Sequence, residues 1–524
     1  MASKQRLVIV GNGMAGARTL EEILSRDGAS KFDIAVFGDE PNGNYNRILL
    51  SGVLNGSHKP NDIYLNPRTW YADNGITLHA PSRVVSLDRP HKHVVSDCGI
   101  IEPYDTLIVS TGSRATIPVI DGLNGPSGAP KHGVFVFRTL EDCRKIAGCA
   151  NKCQRAVVVG GGLLGLEAAK GLLKYGVAVH LVHNNNVLMN AQLDVESGQI
   201  LRKCVEQMGI QVHLGQRTTA VCGDEYVTGI TFTDGTVLET DMIIFACGIS
   251  PNVEVAKESG LITNRGILVD DHMRTLTDPS VFAVGECAEH NGVTYGLVAP
   301  LWDQAVVVAD NVTEFKTPSL YKGSKLMTKL KVMGISLTTM GLREPEFVGD
   351  HVITYSDPTS GNYHKLIIRN DRLIGAILLG ETEKTAELVQ AFDRGTPLAP
   401  DRRTLLFPMQ QPTRPSTGSA LLEMPDNTKI CNCIGVTKGA IRKCVEAGNR
   451  SLTAVQDATR ACSGCGTCKP LVQEIVTWCC DGLPTPEKTA TAKSSGPFSV
   501  SDPDTAKALK TLIKELVAWA AADD

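Results

Sequence analysis

The sequence predicts an α/β fold with two strand–glycine-turn–helix nucleotide units, a small α+β domain and a small helical domain rich in cysteine. Three observations predict it. An apolar strand runs into Gly11-Asn12-Gly13-Met14-Ala15-Gly16, the same pattern returns at Gly160-Gly161-Gly162-Leu163-Leu164-Gly165, and eight of the 16 cysteines fall between Cys431 and Cys480. At 524 residues the chain exceeds a single core, and about 150 residues per domain allows three or four.

Composition narrows the function classes. Hydrophobic residues at 42% and charged residues at 21%, with 50 glycines, describe a globular chain with many tight turns. A formal charge of −4 supplies no basic footprint for nucleic acid, and no run of about 18 apolar residues is present to cross a membrane. Residues 1–6 lead directly into the apolar strand at 7–10, which leaves no room for a signal peptide, so a cytoplasmic location is expected. In that reducing compartment, cysteines are expected as thiols or metal ligands rather than disulfides.

The first unit reads element by element. The strand at 7–10 enters the turn at Gly11, Gly13 lets backbone approach a pyrophosphate, and Gly16 lets helix and strand pack closely. The turn carries Met14 and Ala15, and a helix at 17–24 follows, its start offering unpaired amides to phosphates. A second strand at 32–37 ends near Asp39 and Glu40, which are placed to accept hydrogen bonds from ribose hydroxyls. These features make a Rossmann-like βαβ site.

In the second unit, the strand at 156–159 precedes Gly160, Gly162 and Gly165, and a helix through Leu164 and Glu167 runs to about residue 175. Its second strand, at 177–182, ends at His183, followed by Asn184, Asn185 and Asn186. An NAD-specific site usually carries a carboxylate there, so NADH and NADPH both stay open. Asp234-Gly235 reads as a hairpin turn, and residues 241–248 form a strand ending at Gly248.

Two such units in one chain resemble the FAD/NAD(P)H oxidoreductases of the two-dinucleotide-binding-domain superfamily. Residues 104–113 look like the crossover motif of that superfamily, and the resemblance places the loop after Thr111 and Gly112 near the flavin. Residues 277–286 look like its second FAD motif, whose final acid, here Glu286 in place of the usual Asp, contacts the ribityl chain. The block at 45–51 resembles the segment that runs past the FAD pyrophosphate, with Arg47 available to a phosphate. The resemblance implies a discontinuous FAD-binding domain from residues 1–118 and 250–320, with an NAD(P)H-binding domain inserted at 119–249.

Disulfide reductases of this superfamily need a cysteine pair beside the flavin, and no cysteine precedes Cys98. Cys143, Cys149 and Cys153 read as ordinary thiols. The chain's dense cysteine pairs, Cys431-Asn432-Cys433 and Cys465-Gly466-Thr467-Cys468, lie near the C-terminus, and their spacing alone fits zinc and iron–sulfur alike. The segment at 429–482 resembles the BFD-like [2Fe–2S] module, which implies Cys431, Cys433, Cys465 and Cys468 as ligands. Cys462 then stands three residues early, as a neighbouring thiol or an alternative third ligand, and Cys444, Cys479 and Cys480 read as helix-face packing residues.

Residues 321–415 read as a small α+β interface domain containing a hairpin that turns at Asn370-Asp371. The domain is expected to cover the flavin side and to form a possible homodimer contact. Residues 416–428 read as a linker, and 483–524 as a disordered stretch followed by a tail helix. This order of parts is similar to the front half of the large subunits of assimilatory NAD(P)H nitrite reductases, and to the electron-transfer subunits of assimilatory nitrate reductases. The resemblance implies FAD, NAD(P)H and a [2Fe–2S] cluster as cofactors and a separate nitrite or nitrate reductase catalytic subunit as partner. The alternatives are a ferredoxin-reductase component of an oxygenase system and a ferredoxin-like module docking on an iron-storage protein.

Overall fold

The computed structural model describes residues 4–315, 317–332, 334–380, 384–407, 421–422, 424–431, 434–464, 466 and 468–481. Continuous apolar runs build the first two sheets. Leu7, Val8, Ile9 and Val10 are all buried in the strand Gln5–Val10, as a parallel strand covered on both faces requires. This strand lies between Phe32–Phe37 and Thr106–Val109, and Thr77–His79 and Val281–Ala283 complete a five-stranded parallel sheet. The last of these strands arrives only after the chain has built a second sheet. That sheet is also parallel, in the order Val134–Val136, Met242–Phe245, Arg155–Val159, Ala178–His183, Gln211–Leu214. Ser113–Ala115 and Ile249–Pro251, the outgoing and returning connections, pair antiparallel between the two.

Local details sharpen the sequence expectations. The first helix spans Met14–Leu24, three residues earlier than the apolar periodicity suggests, because Gly13 is its N-cap and helical backbone begins immediately after it. Gly229–Phe232 pairs with Val237–Glu239 around Gly235, at φ 82°. In the third sheet five antiparallel strands run in the order Met327–Val332, Ile335–Gly341, Arg372–Leu379, Asn362–Arg369, His351–Asp357. Its hairpin turns at Asn370 and Asp371, both left-handed at φ 49° and 57°, as a two-residue turn of this hand demands. The helix Thr385–Arg394 packs Leu388 and Phe392 on that sheet.

The cysteine module begins with a small ribbon of Lys429–Cys431 and Val436–Thr437. The helices Lys438–Glu446, Leu452–Thr459 and Lys469–Asp481 follow, the first two capped by the hydroxyls of Thr437 and Ser451. Ile430, Ile441, Val445, Val455, Val472 and Ile475 form a core of its own. Residues 408–420, which hold part of the expected linker, and the expected tail at 483–524 lie outside the described residues. Among the described residues, no helix is long and apolar enough to cross a membrane.

Candidate functional site

Both glycine turns have the same build. Gly11 has φ +116°, and a methyl group there would strike the Ser110 carbonyl; a methyl on Gly16 would strike the Gly11 carbonyl. Gly160 has φ +127°, and a methyl on Gly165 would strike the Gly160 carbonyl. The middle glycines, Gly13 and Gly162, face open space instead. Each is the N-cap of a helix, Met14–Leu24 or Leu163–Leu173, with no side-chain cap, so the first amides of both helices stay available to an anion. Leu164 is exposed at the mouth of the second turn, and Glu167 lies one turn further into its helix. Gly112 and Gly248 also face open space, at φ +66° and +102°.

The crossover strands knit the two units together. Thr111 Oγ1 donates to the Asn252 carbonyl at 2.7 Å, and Asn252 Nδ2 returns a bond to the Thr111 carbonyl at 3.0 Å. Beneath them the Cys287 thiol is fully buried, which pushes its pKa up and keeps it protonated.

Glu40 and Arg47, expected near a ribose and a phosphate respectively, lie side by side in the structure. Here they pair with each other. Glu40 also accepts from the Tyr45 hydroxyl at 2.7 Å, and Arg47 Nη1 donates to that hydroxyl and to the Arg138 carbonyl, each at 3.0 Å. The cause is burial: desolvation works against the guanidinium charge, and Tyr45 and Glu40 outweigh it, leaving the Arg47 pKa raised. Asp39 remains exposed at the strand end.

Glu286 belongs to a second, linked network. Its carboxylate accepts from Ser113 Oγ at 2.6 Å and from Arg138, whose Nη2 also donates to Ser113 Oγ at 2.8 Å. Sequence reasoning missed Arg138, Ser113 and Tyr45. The only local signal for Arg138 is its place just before the capping box of Thr139 and Asp142. Asn12 Nδ2 and Arg138 Nε are buried without a hydrogen-bond partner among the described residues. Orphaned donors beside an open glycine turn fit an anionic, oxygen-rich group such as FAD.

At the second turn, Gly161 N–H donates to His183 Nδ1 at 3.2 Å, and His183 Nε2 lies 3.2 Å from Asn190 Oδ1. Nδ1 must therefore be the acceptor and Nε2 carry the proton. Burial pushes the His183 pKa down, which keeps this neutral tautomer in place. His183 thus braces the glycine turn from behind. The backbone carbonyl of Asn190 accepts from Arg343, two residues past the end of the strand Ile335–Gly341.

In the cysteine module Cys431, Cys462 and Cys468 are buried in one core, and the Cys462 and Cys468 sulfurs are 3.4 Å apart. Cys433 and Cys465 lie outside the described residues. Cys462, at φ 65°, sits against an expected ligand rather than apart from the set. Among the described residues no three metal-ligating side chains converge, but the close Cys462–Cys468 sulfur pair, in the apolar core that also buries Cys431, has the soft-donor chemistry an iron–sulfur centre takes. Cys479 is buried in the same core, with Cys444 and Cys480 packed against it. Far from there, Cys149 and Cys153 bring their sulfurs within 3.2 Å, and burial pushes the Cys153 thiol up to about 12.

Comparison with known proteins agrees with this geometry. The BFD-like [2Fe-2S] binding domain matches residues 429–478 and the rubredoxin NAD+ reductase C-terminal domain matches 327–396. The chain is 41% identical over 476 residues to a nitrite reductase [NAD(P)H] of Bacillus subtilis, covering 90% of this chain and 57% of that protein. It is 40% identical over 477 residues to the assimilatory nitrate reductase electron transfer subunit of the same organism, covering 90% and 59%. The chain therefore spans under two thirds of the length of these relatives. Among solved structures, the covalent putidaredoxin reductase–putidaredoxin complex matches with a TM-score of 0.68 and 25% identity, over 78% of this chain and 96% of that one. With the pyridine nucleotide-disulphide oxidoreductase profile matching residues 5–308, across both glycine turns and the crossovers between them, the chain belongs to that family.

Proposed function

We propose that the chain is an NAD(P)H-dependent FAD/[2Fe–2S] oxidoreductase that delivers electrons to a separate nitrite or nitrate reductase catalytic subunit. The observation that carries the reading is the matched pair of open, uncapped glycine turns joined by the antiparallel crossover strands. Gly11 to Gly16 would hold FAD, with Thr111, Gly112 and Glu286 beside it, and Gly160 to Gly165 with Gly248 would hold NAD(P)H. FAD supplies the exchange between hydride and single-electron chemistry. The protein's part is to orient two dinucleotides and exclude water; no side chain need act as nucleophile. The likeness to an electron transfer subunit supports a separate terminal acceptor.

Anaerobic titration with NADH and NADPH in turn tests this, following flavin bleaching and the electron-spin signal of a reduced cluster. Purified nitrite and nitrate reductases are then added. Immediate reoxidation by one of them is the expected result; bleaching with no cluster signal would sink the proposal. The likeness to putidaredoxin reductase favours a second reading, service to an oxygenase, which predicts reoxidation by a hydroxylase component alone.

A further inference from the structure

The cysteine module has its own core, yet residues beside its cysteines reach the rest of the chain. Arg460, two residues before Cys462, donates from Nη1 to Glu21 Oε1 and from Nη2 to Asn66 Oδ1, both at 2.9 Å. Asn66 Nδ2 donates to the same Glu21 oxygen at 3.0 Å, so the three groups close a ring. Arg460 is held for this in a left-handed conformation at φ 58°, as the C-cap of its helix. At the start of the ribbon strand that ends at Cys431, Lys429 pairs with Asp303. Between these clamps Gly435, at φ +79°, lies so close to Trp302 that a methyl there would meet ring carbon Cδ1 at 3.0 Å.

Trp302 is part of the flavin-side wall. It is buried with Met14, Ala15 and Leu301, and so touches the start of the helix whose amides face the first glycine turn. A methyl on Gly285, next to Glu286, would meet Ala15 at 2.7 Å and Leu301 at 3.0 Å, which places the Glu286 loop on the same wall. The Trp302 indole nitrogen is buried with no hydrogen-bond partner among the described residues.

We propose that Trp302, flanked by the Arg460–Glu21–Asn66 and Lys429–Asp303 clamps, is the seat that holds the module's cysteine-bearing loops against the wall of the flavin turn. Resting on the electron-transfer reading above, this makes Trp302 and Arg460 positioning residues for the exit of electrons. One NAD(P)H would give NAD(P)+, one proton and two electrons, and the electrons would cross this seat one at a time, the cluster handing the first to the external reductase partner before it takes the second. A short, fixed contact there removes any need for the module to search for its donor.

The test uses the full chain and two readouts. The first needs no activity: a zero-length carbodiimide couples Lys429 to Asp303, and the crosslinked peptide is quantified by mass spectrometry. The second compares the rate of flavin bleaching by NAD(P)H with the rate of cluster reduction in stopped flow. In Arg460→Glu, crosslink yield and cluster reduction fall about tenfold while bleaching is unchanged, and the exchanged pair Arg460→Glu with Glu21→Arg restores both. In Trp302→Leu, the rate of cluster reduction falls relative to the rate of flavin bleaching, both taken per bound FAD, and Trp302→Phe recovers most of that ratio. Equal crosslinking and equal cluster reduction in Arg460→Glu and wild type would overturn the seat alone. A wild-type protein that crosslinks but never reduces its cluster would overturn the underlying electron-transfer reading and the seat's purpose with it.

Discussion

At the scale of single residues, two glycines in the same turn should fail in different ways. Gly13 faces open space, so Gly13→Val has room in the empty fold but fills the place where a pyrophosphate would lie. It should purify without bound flavin, as read from the visible spectrum, and melt at the temperature of flavin-stripped wild type. Gly11 is at φ +116° against the Ser110 carbonyl, so Gly11→Ala should itself unfold more easily, by at least about 1 kcal/mol in urea titration. His183 adds a pH signature. Its folded pKa is depressed by burial, so the stability tied to its neutral form is complete above the unfolded value of about 6.5 and is lost as pH falls through the folded value. Acidification below about pH 6.5 should therefore loosen the second glycine turn, and His183→Ala should flatten that part of the stability profile measured by thermal melts.

At the scale of elements, Asp194 joins the second parallel sheet to the antiparallel one. It caps the helix Val195–Gln207 through Ser197 N at 2.9 Å, and also accepts from Tyr363 at 2.6 Å and Lys365 at 3.0 Å. Burial opposes its charge, but these bonds outweigh burial and leave its pKa lowered. A depressed carboxylate stabilises fully above its unfolded value of about 3.9 and loses that contribution as pH falls toward the folded value. Asp194→Asn should lower the melting temperature at neutral pH, with the gap to wild type closing only below about pH 4. The cap was open to sequence reasoning, because Asp and Ser three residues apart before an apolar helix are a local signal. The bonds to Tyr363 and Lys365 were not, since 169 and 171 residues separate the partners. The same division runs through the candidate site. Glycine turns, strands and the Asn370-Asp371 hairpin were legible because their chemistry is written within a few adjacent residues. The ion pair of Arg47 with Glu40 and that of Arg138 with Glu286 arise only when the fold brings half-buried charges together, so sequence pattern left Arg138 and both pairings unseen.

At the scale of the whole molecule, the apolar cores divide the labour. The two dinucleotide units pack around cores that include Leu7, Ile108, Val158 and Ile244, while Ile441, Val455 and Val472 belong to the cysteine module alone. Damage confined to the module should therefore leave the nucleotide turns folded. Cys431 and Cys468 are buried in that separate core, so the full-length variant carrying Cys431→Ser and Cys468→Ser replaces two of the proposed ligands with hydroxyls without touching either glycine turn. It should retain FAD and bleach with NAD(P)H at the wild-type rate and still reduce small artificial dyes, yet give no rhombic electron-spin signal on reduction and fail to pass electrons to the reductase partner. Cys462→Ser separates the ligand set from its neighbours: with Cys465 as third ligand the signal should persist with shifted g values, since a sulfur 3.4 Å from Cys468 still tunes the centre. Loss of the signal in Cys462→Ser would instead make Cys462 the ligand and move the third coordination position three residues toward the N-terminus.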